Sequence, residues 1–347
     1  MKTLLAGLTL LLTLAACNAG LTHATRPLTI PPLIDSRDQQ SGIDLELRRT
    51  RHEFYPGIAS ETMGINGSYL GPTIRLHRGA NALLRFRNAI GEETTIHGHG
   101  LHVAGPIDGG PQVGIAPETT WEIDIPVRQE AGTSWYHPHL MGKTAPHVHA
   151  GLAGLYLIED ENSRSLGLPR EYGVDDIPLI VQDRSFVAGK MQSYAVTQEQ
   201  MQEGLRGATL VTNGTISPYQ VVPQGWVRLR LVAASNARFF RFYLSNQGSF
   251  YKIATEGGFL NEPVPLKELT MGPGERNELL IDLSDGRSVH LMAEMLAADW
   301  GESWFWERWQ NPRASVVELR PDSKLTAKGT LPARLNNIKF YTNEDAT

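Results

Sequence analysis

The chain has 347 residues, and its 32 Lys and Arg against 37 Asp and Glu give a net charge of -5. This mildly acidic balance argues against nucleic acid or another polyanion as a partner. The length allows roughly one to three domains with a core each, and the 34 Gly and 21 Pro are typical of a turn-rich β protein.

Residues 1–17 are predicted to be a targeting segment. Lys2 precedes the apolar run Leu4–Leu14, which is too short to span a bilayer. The run ends in Leu-Ala-Ala-Cys, which looks like a bacterial lipoprotein cleavage box, so Cys17 would carry the lipid. An ordinary secretory signal with a chance cysteine is the alternative. Either interpretation places the protein on the periplasmic side of the cell envelope; a lipid, favouring the outer membrane, would be its only membrane contact.

A first β domain is predicted over residues 43–160, after an irregular tether and domain entry at residues 18–42. Pro27, Pro31 and Pro32 argue against helix in the tether. Apolar and polar residues then alternate in three short segments, Ile43–Leu47, Asn81–Arg87 and Trp121–Ile125. Such strands, evenly spaced with Gly and Pro turns, are typical of a β-sandwich. The continuous apolar run over residues 151–158 would close the domain.

A second β domain is predicted over residues 177–320, after a linker at residues 161–176 that is rich in charge, Gly and Pro. Alternation recurs over Trp226–Val232, and Asn213-Gly-Thr215 is interpreted as a turn rather than a glycosylation site. From residue 321 the chain is polar, and residues 1–26 and 322–347 are expected to be poorly ordered. Four tryptophans favour apolar packing at a domain boundary over cation or sugar binding: Trp300, Trp304, Trp306 and Trp309.

Seven of the 11 histidines lie between residues 94 and 160. Four of them form two His-x-His pairs, His97 with His99 and His137 with His139. In an extended strand, residues i and i+2 point to the same face, so each pair presents two imidazoles side by side. Neutral imidazole suits copper, zinc, iron and nickel. Two such pairs brought together predict a site for more than one metal ion.

A single His-x-His pair is more often accidental than a ligand pair, but these two have specific flanking sequences. The first is followed by Asp108-Gly-Gly-Pro-Gln112 and the second lies between Gly132-Thr-Ser-Trp135 and Gly151-Leu-Ala-Gly-Leu155. Together with Gly64–Thr73 upstream, they resemble the first cupredoxin domain of the three-domain multicopper oxidases. The resemblance is strongest to the bacterial cuprous oxidases of the laccase-like group and covers about residues 27–320. It implies an all-β chain of two cupredoxin-like Greek-key β-sandwich domains in tandem, the second without copper ligands.

The resemblance also implies roles for individual residues in a trinuclear copper cluster. His97 would bind the type 2 copper, His99 and His137 would share one type 3 copper, and His139 would bind the other. Asp108 matches the acidic residue that the family is thought to use to deliver protons. The alternative for Asp108 is a turn-capping role before Gly109 and Gly110. The family couples oxidation of cuprous ion or phenols to the reduction of dioxygen to water.

Several residues depart from the family pattern. Gly98 stands where the family usually has Trp, which would remove packing around the cluster. His102, His147 and His149 match no family ligand. His147-Val-His149 is a third His-x-His pair and an extra surface copper site is one interpretation, although histidines that are simply at the surface or that support other ligands are commoner. His77 is expected at the surface, at a strand end.

The type 1 copper ligands of the family are not found. Cys17 is the only cysteine, so the mature chain is expected to have no disulfide and no thiolate ligand, and nothing resembles the third domain's His-Cys-His motif. The chain alone is therefore predicted to bind copper weakly, on a face open to solvent, without blue colour or turnover, unless a separate chain supplies a third domain. Three function classes stay open. The first is a multicopper oxidase whose third domain is supplied elsewhere or lost, the second is a non-catalytic copper-binding envelope lipoprotein, and the third is a structural, division-associated relative. Retention of all four histidines argues against the third class.

Overall fold

The computed structural model describes residues 24–296 and 311–338. The predicted targeting segment with Cys17 and the four clustered tryptophans lie outside these ranges. Strands dominate the described residues, and the prediction of an all-β fold with tandem cupredoxin-like sandwiches is confirmed. Helices are few and short: α1 (Gly105–Asp108), α2 (Thr144–Ala150), α3 (Glu161–Ser165), α4 (Gln198–Glu203) and a 3-10 turn, Ser36–Asp38. None of the helices within the described ranges has the length and apolarity to cross a bilayer.

Nine strands build the first sandwich. They are β1 (Leu33–Asp35), β2 (Ile43–Tyr55), β3 (Ile58–Ile65), β4 (Thr73–His77), β5 (Asn81–Ala89), β6 (His97–His99), β7 (Thr120–Pro126), β8 (Gly132–His137) and β9 (Gly154–Glu159). One sheet has the order β1-β4-β9-β8-β6 and the other β3-β2-β5-β7. The predicted alternation holds in β2 and β5, whose apolar side chains such as Leu45 and Phe86 are buried between the sheets.

Thirteen strands follow. They are β10 (Asp176–Arg184), β11 (Phe186–Val187), β12 (Lys190–Met191), β13 (Thr209–Thr212), β14 (Tyr219–Pro223), β15 (Trp226–Ala233), β16 (Phe239–Leu244), β17 (Phe250–Thr255), β18 (Gly258–Leu266), β19 (Glu268–Met271), β20 (Arg276–Asp282), β21 (Val289–Leu296) and β22 (Arg313–Asp322). The second sandwich has sheets of order β13-β10-β15-β20-β17-β18 and β14-β22-β21-β16-β19, and β11 with β12 forms a separate hairpin. The predicted turn after β13 is present, because Asn213 and Gly214 have φ of 47° and 78°.

The two sandwiches share an apolar contact and a buried charge cluster. The apolar contact joins both sequence halves: Leu70, Trp135, Ala153, Leu155, Ile180, Val232 and Ala234. In the charge cluster, Arg230 pairs with Asp176 and with Glu278, and Arg228 also pairs with Glu278. Thr133 of β8 donates a 2.7 Å hydrogen bond to the Glu278 carboxylate. Burial raises the pKa of Glu278, but the two guanidiniums outweigh it and bring that pKa to about 2.

The tether is ordered where the structure describes it, so the prediction for residues 24–26 is wrong. Ala24 N donates to Glu318 Oε2 over 2.9 Å, and Tyr219 N donates to the Arg26 carbonyl over 2.9 Å. Arg26 in turn donates to the Phe54 carbonyl of the first sandwich. We call residues 24–28 the strap, because they bind both sandwiches. The reason is that an extended segment can pair its backbone with a sheet edge, which composition alone does not reveal.

The tail is also ordered over residues 322–338, against prediction. Leu335 is 1% exposed and its N–H donates to the Asn261 carbonyl over 2.9 Å. Thr330 N donates to the Gly167 carbonyl over 2.9 Å. The polar composition hid these anchors, because a single buried leucine and a few backbone hydrogen bonds hold the segment.

Candidate metal centre

Strands β6 and β8 bring the two predicted histidine pairs together. They pair antiparallel with His97 opposite His137 and His99 opposite Trp135. His139 lies two residues beyond the end of β8, and its backbone N–H donates to Thr95 Oγ1 over 2.6 Å. The register therefore places all four predicted ligands at one end of one sheet.

The four rings form a compact cluster. Ring centroids are 5.1 Å apart for His97 and His139, 5.3 Å for His99 and His137, and 5.5 Å for His97 and His137. One nitrogen from each of His97, His99 and His137 lies within 4.8 Å of the others, a spacing that could hold a metal ion. His99 Nδ1 and His137 Nε2 are 3.1 Å apart.

Backbone carbonyls orient two of the rings. His137 Nδ1 donates to the Pro138 carbonyl over 2.8 Å, and His97 Nδ1 donates to the Asp108 carbonyl over 2.9 Å. In a neutral imidazole the other nitrogen then carries the lone pair, so both rings have Nε2 available as a donor to a metal. In the structure, His99 Nδ1 donates to the lone pair of His137 Nε2, and a metal ion bound to His137 would replace this hydrogen bond.

Asp108 lies beside His97. Its Oδ2 is 3.2 Å from His97 Nδ1, so the backbone and the side chain of Asp108 face the same ring nitrogen. Asp108 ends α1, and Gly109 follows with φ of 71°. Within the described residues, no turn N–H donates to the Asp108 carboxylate, which favours the pairing with His97 over the turn-capping alternative. Its role in proton delivery stays a prediction.

Aromatic and second-sandwich residues form the wall of the cluster. Trp135 stacks on His137 with centroids 4.0 Å apart and on His99 at 5.5 Å. Gly274 lies so close that a Cβ there would be 3.2 Å from His99 Cε1. The neighbouring Arg276 is buried and donates to the Gly274 carbonyl. The sequence contained a turn signal at Gly272-Pro273-Gly274, but no sign that this turn meets the histidines.

Burial keeps two of the histidines neutral. It lowers the pKa of His99 to about 4, helped by the charge of Arg276 and the neighbouring rings. It lowers the pKa of His137 to about 3, although the hydrogen bond to Pro138 opposes this. Neutral imidazole is the form that binds metal, so at neutral pH these rings need lose no proton to become ligands.

The predicted opening to solvent lies on one side of the cluster. His137 is buried, His97 and His99 are half-buried, and His139 is exposed. The space beside Gly98 is not empty, because Leu101 fills it: a Cβ on Gly98 would be 2.6 Å from Leu101 Cδ1. The expectation that Gly98 removes packing therefore needs correction, since a neighbouring leucine replaces the family's usual tryptophan.

The other histidines lie elsewhere, and two expectations about them are wrong. His147 and His149 belong to α2, not a strand, so positions i and i+2 diverge, and both are buried rather than at the surface. His147 Nδ1 is 3.0 Å from Thr94 Oγ1, and His149 Nε2 donates to the Gln192 carbonyl over 2.9 Å. His77 is 3% exposed, and its Nε2 lies 2.7 Å from the carboxylate of Asp35 at the end of β1. His102 is exposed.

Comparisons with known proteins fit this geometry. The sequence family described as "Multicopper oxidase" matches residues 46–163. Cell division protein FtsP of Escherichia coli is 40% identical over 79% of this chain and 57% of its own length. FtsP of Edwardsiella tarda is 40% identical over 93% of this chain and 69% of its own. The chain thus spans little more than half the length of the first of these curated relatives.

Solved structures agree. The laccase-like multicopper oxidase CueO from Ochrobactrum sp. is 37% identical with a TM-score of 0.83, over 92% of this chain and 69% of that one. McoA multicopper oxidase from Aquifex aeolicus is 31% identical with a TM-score of 0.80, over 92% and 70%.

Proposed function

The chain belongs to the multicopper oxidase family, and from this we propose that His97, His99, His137 and His139 bind copper as part of a dioxygen-reducing centre. The observation that carries the proposal is the cluster of four imidazole rings with centroids 5.1 to 5.9 Å apart along its closest pairs. Imidazole nitrogens suit copper, and backbone carbonyls orient two of the rings so that Nε2 carries the lone pair. The donor set therefore fits the metal expected from the family.

Copper held here would supply electron transfer to dioxygen. The residues of this chain have separate tasks. His97 would bind the type 2 copper, His99 and His137 one type 3 copper, and His139 the other. Trp135 excludes water from one side of the cluster by stacking on two ligands. Asp108 orients His97 and holds a carboxylate at the centre, where it would move protons to the reacting oxygen.

We propose that residues 43–160 form the copper-binding domain, 161–176 the linker and 177–320 a domain without copper ligands. The remaining copper ligands, including a type 1 thiolate, would come from a further cupredoxin domain on the same or another polypeptide. The exposed side of His139 is where such a domain would dock. Cuprous ion or phenols are the proposed reductants. In support of phenols, the Ochrobactrum neighbour is described as having oxidase activity towards lignin model compounds and lignosulfonate.

The test is copper binding by the metal-stripped chain. We expect saturable binding, measured by calorimetry and metal analysis, with no intense blue band, since that band needs a cysteine thiolate. Replacing all four histidines by Ala should remove the binding. His102→Ala, an exposed histidine three residues from His99, is the matched control and should bind like the parent. Unchanged binding in the quadruple variant would refute the proposal.

A second candidate is a division-associated envelope protein, favoured by the 40% identity to proteins named cell division protein FtsP. Such a role would be structural and independent of copper. A strain lacking the gene distinguishes the two candidates. Rescue of division by the variant in which all four histidines are replaced by Ala would support the second candidate, and loss of rescue would support a copper-dependent role.

We place either function in the bacterial envelope, anchored by a lipid on Cys17. Labelling with a radioactive fatty acid should mark the parent chain and not Cys17→Ser.

A further inference from the structure

A small polar cavity of about 80 Å³ lies away from the histidine cluster, where the two sandwiches meet. Its lining comes from α2 through His149, from the end of β10 through Asp183, Arg184 and Ser185, and from the loops that carry Ser193, Gly207 and Asn236. One ordered water requires about 10–15 Å³ by the same measure, so the cavity has room for a larger guest.

Arg184 is the unusual member of this lining. Its side chain is 1% exposed, yet no carboxylate within the described residues forms an ion pair with it. Nη1 donates to the Asp183 carbonyl over 2.7 Å and Nη2 to the Val148 carbonyl over 3.1 Å, while Nε has no partner. Buried charges are ordinarily paired, because an unpaired ion loses its hydration without compensation.

The nearest carboxylate already has other partners. Asp183 Oδ2 accepts a hydrogen bond from Gly207 N and lies 3.6 Å from Arg238 Nε. Arg184 and Arg238 together carry two positive charges against the single negative charge of Asp183. Among the residues that the structure describes, these three groups therefore leave an excess positive charge beside the cavity, and Arg184 Nε is an unused donor.

We propose that this cavity binds one small tetrahedral oxyanion, such as phosphate or sulfate, on Arg184. Guanidinium is suited to such oxyanions because its planar set of N–H donors matches their oxygens. The Ser185 hydroxyl and the Asn236 amide stand on separate segments around the cavity and add neutral donors. Since α2 belongs to the first sandwich and β10 to the second, the anion would join the two sandwiches.

The site is independent of copper, so the test uses the metal-free full chain. Calorimetric titration with sodium phosphate and with sodium sulfate, at constant ionic strength set with chloride, should give saturable binding of one anion per chain. The thermal midpoint should rise with phosphate and, above the dissociation constant, should keep rising with the logarithm of the phosphate concentration. Acetate, which is planar, should bind more weakly.

Two substitutions of the exposed Ser193 at the cavity mouth make a matched pair. Ser193→Glu places a negative charge there and should weaken phosphate binding by about tenfold or more. Ser193→Gln has the same length without the charge and should stay near the parent affinity. Arg184→Met should abolish binding; if that variant fails to fold, the Ser193 pair decides. The proposal is overturned if the parent shows no saturable binding, or if Ser193→Glu binds phosphate as the parent does.

Discussion

Asp108 holds His97 through two groups, a carbonyl at 2.9 Å and a carboxylate oxygen at 3.2 Å from the same ring nitrogen. A carboxylate behind a ligand imidazole fixes the ring and raises its basicity. The carbonyl contact would survive Asp108→Asn, while the negative charge would be lost.

Asp108→Asn is therefore expected to weaken copper binding by about tenfold. Competition with a chelator measures the affinity, and the urea midpoint should stay at the parent value. If instead stability drops and copper affinity is unchanged, Asp108 acts in the turn and not on His97.

His149 gives a prediction about acid stability. Burial lowers its pKa from 6.5 to about 4, so the unfolded chain takes up a proton at a higher pH than the folded chain. The contribution of neutral His149 is complete above pH 6.5 and is lost as the pH falls towards 4. The difference amounts to about 3 kcal/mol.

Unfolding free energies of the parent and of His149→Gln, measured in chloride buffer from pH 7 to pH 4, check this. The parent should lose more stability than the variant across that window, because the amide does not titrate. Parallel curves would show that His149 protonates equally in both states.

For the individual residues of the metal centre, the sequence predicted which histidines cluster but not which residues of the second sandwich surround them. The two His-x-His pairs and Asp108 could be identified because strand geometry and flanking motifs are local. Arg276 and Gly274 could not, since they come from another sandwich more than 130 positions along the chain. The prediction for His147 and His149 was wrong for a related reason. Residues i and i+2 point to the same side of a strand but to different sides of a helix.

Among the elements, the junction of α1 and the strand before it depends on one glycine. Gly109 has φ of 71°, and a Cβ there would stand 1.8 Å from the Ile96 carbonyl oxygen. That carbonyl directly precedes His97. The close approach of Gly109 to Ile96 therefore brings the start of β6 next to Asp108.

Gly109→Ala should therefore destabilise the fold by about 2–3 kcal/mol or more, from backbone strain together with the clash. Gly142→Ala is the matched control: its φ is 72° but nothing lies within 4 Å of the added carbon. It should lose only about 1 kcal/mol. Urea denaturation separates the two, and equal losses would mean that the contact with Ile96 is unimportant.

Strand alternation made three strands of one sheet of the first sandwich predictable, namely β2, β5 and β7. The strap and the tail were not, because each is held by backbone hydrogen bonds and isolated side chains that leave no periodic pattern. The element α2 was hidden inside a histidine motif.

For the whole molecule, the buried charge cluster joins the sandwiches and contacts β8, the strand that ends in His137. Glu278 forms ion pairs with Arg228 and Arg230 and accepts a hydrogen bond from Thr133. Glu278→Gln would leave two buried guanidiniums with one carboxylate, Asp176, and is expected to destabilise by about 3–5 kcal/mol.

The control is Asp285→Asn, which removes an exposed partner of Arg287 and should leave stability nearly unchanged, because solvent screens that ion pair. Thermal or urea unfolding measures both. A small effect of Glu278→Gln would show that water reaches the cluster and replaces the lost charge.

The oxidase activity is expected to depend on a third cupredoxin domain. A family third domain, added in trans or fused after Thr347, should give blue colour and oxygen consumption if the interface fits. In that enzyme His137→Ala should abolish oxygen reduction and keep the colour, because it would remove only a proposed type 3 ligand. Turnover of phenols or cuprous ion by the copper-loaded chain alone, free of contaminating oxidase, would contradict the idea.

The strap has a consequence for where the molecule could be found. Only six residues separate Cys17 from Ala24, where the strap is fixed to Glu318. Fully extended, that stretch reaches about 25 Å, whereas a compact chain of this size measures roughly 50 Å across. A lipid on Cys17 would thus hold the protein close to the membrane surface. The end of the second sandwich that contacts the strap would face the lipid, and the protein would meet its partners by two-dimensional diffusion along one leaflet.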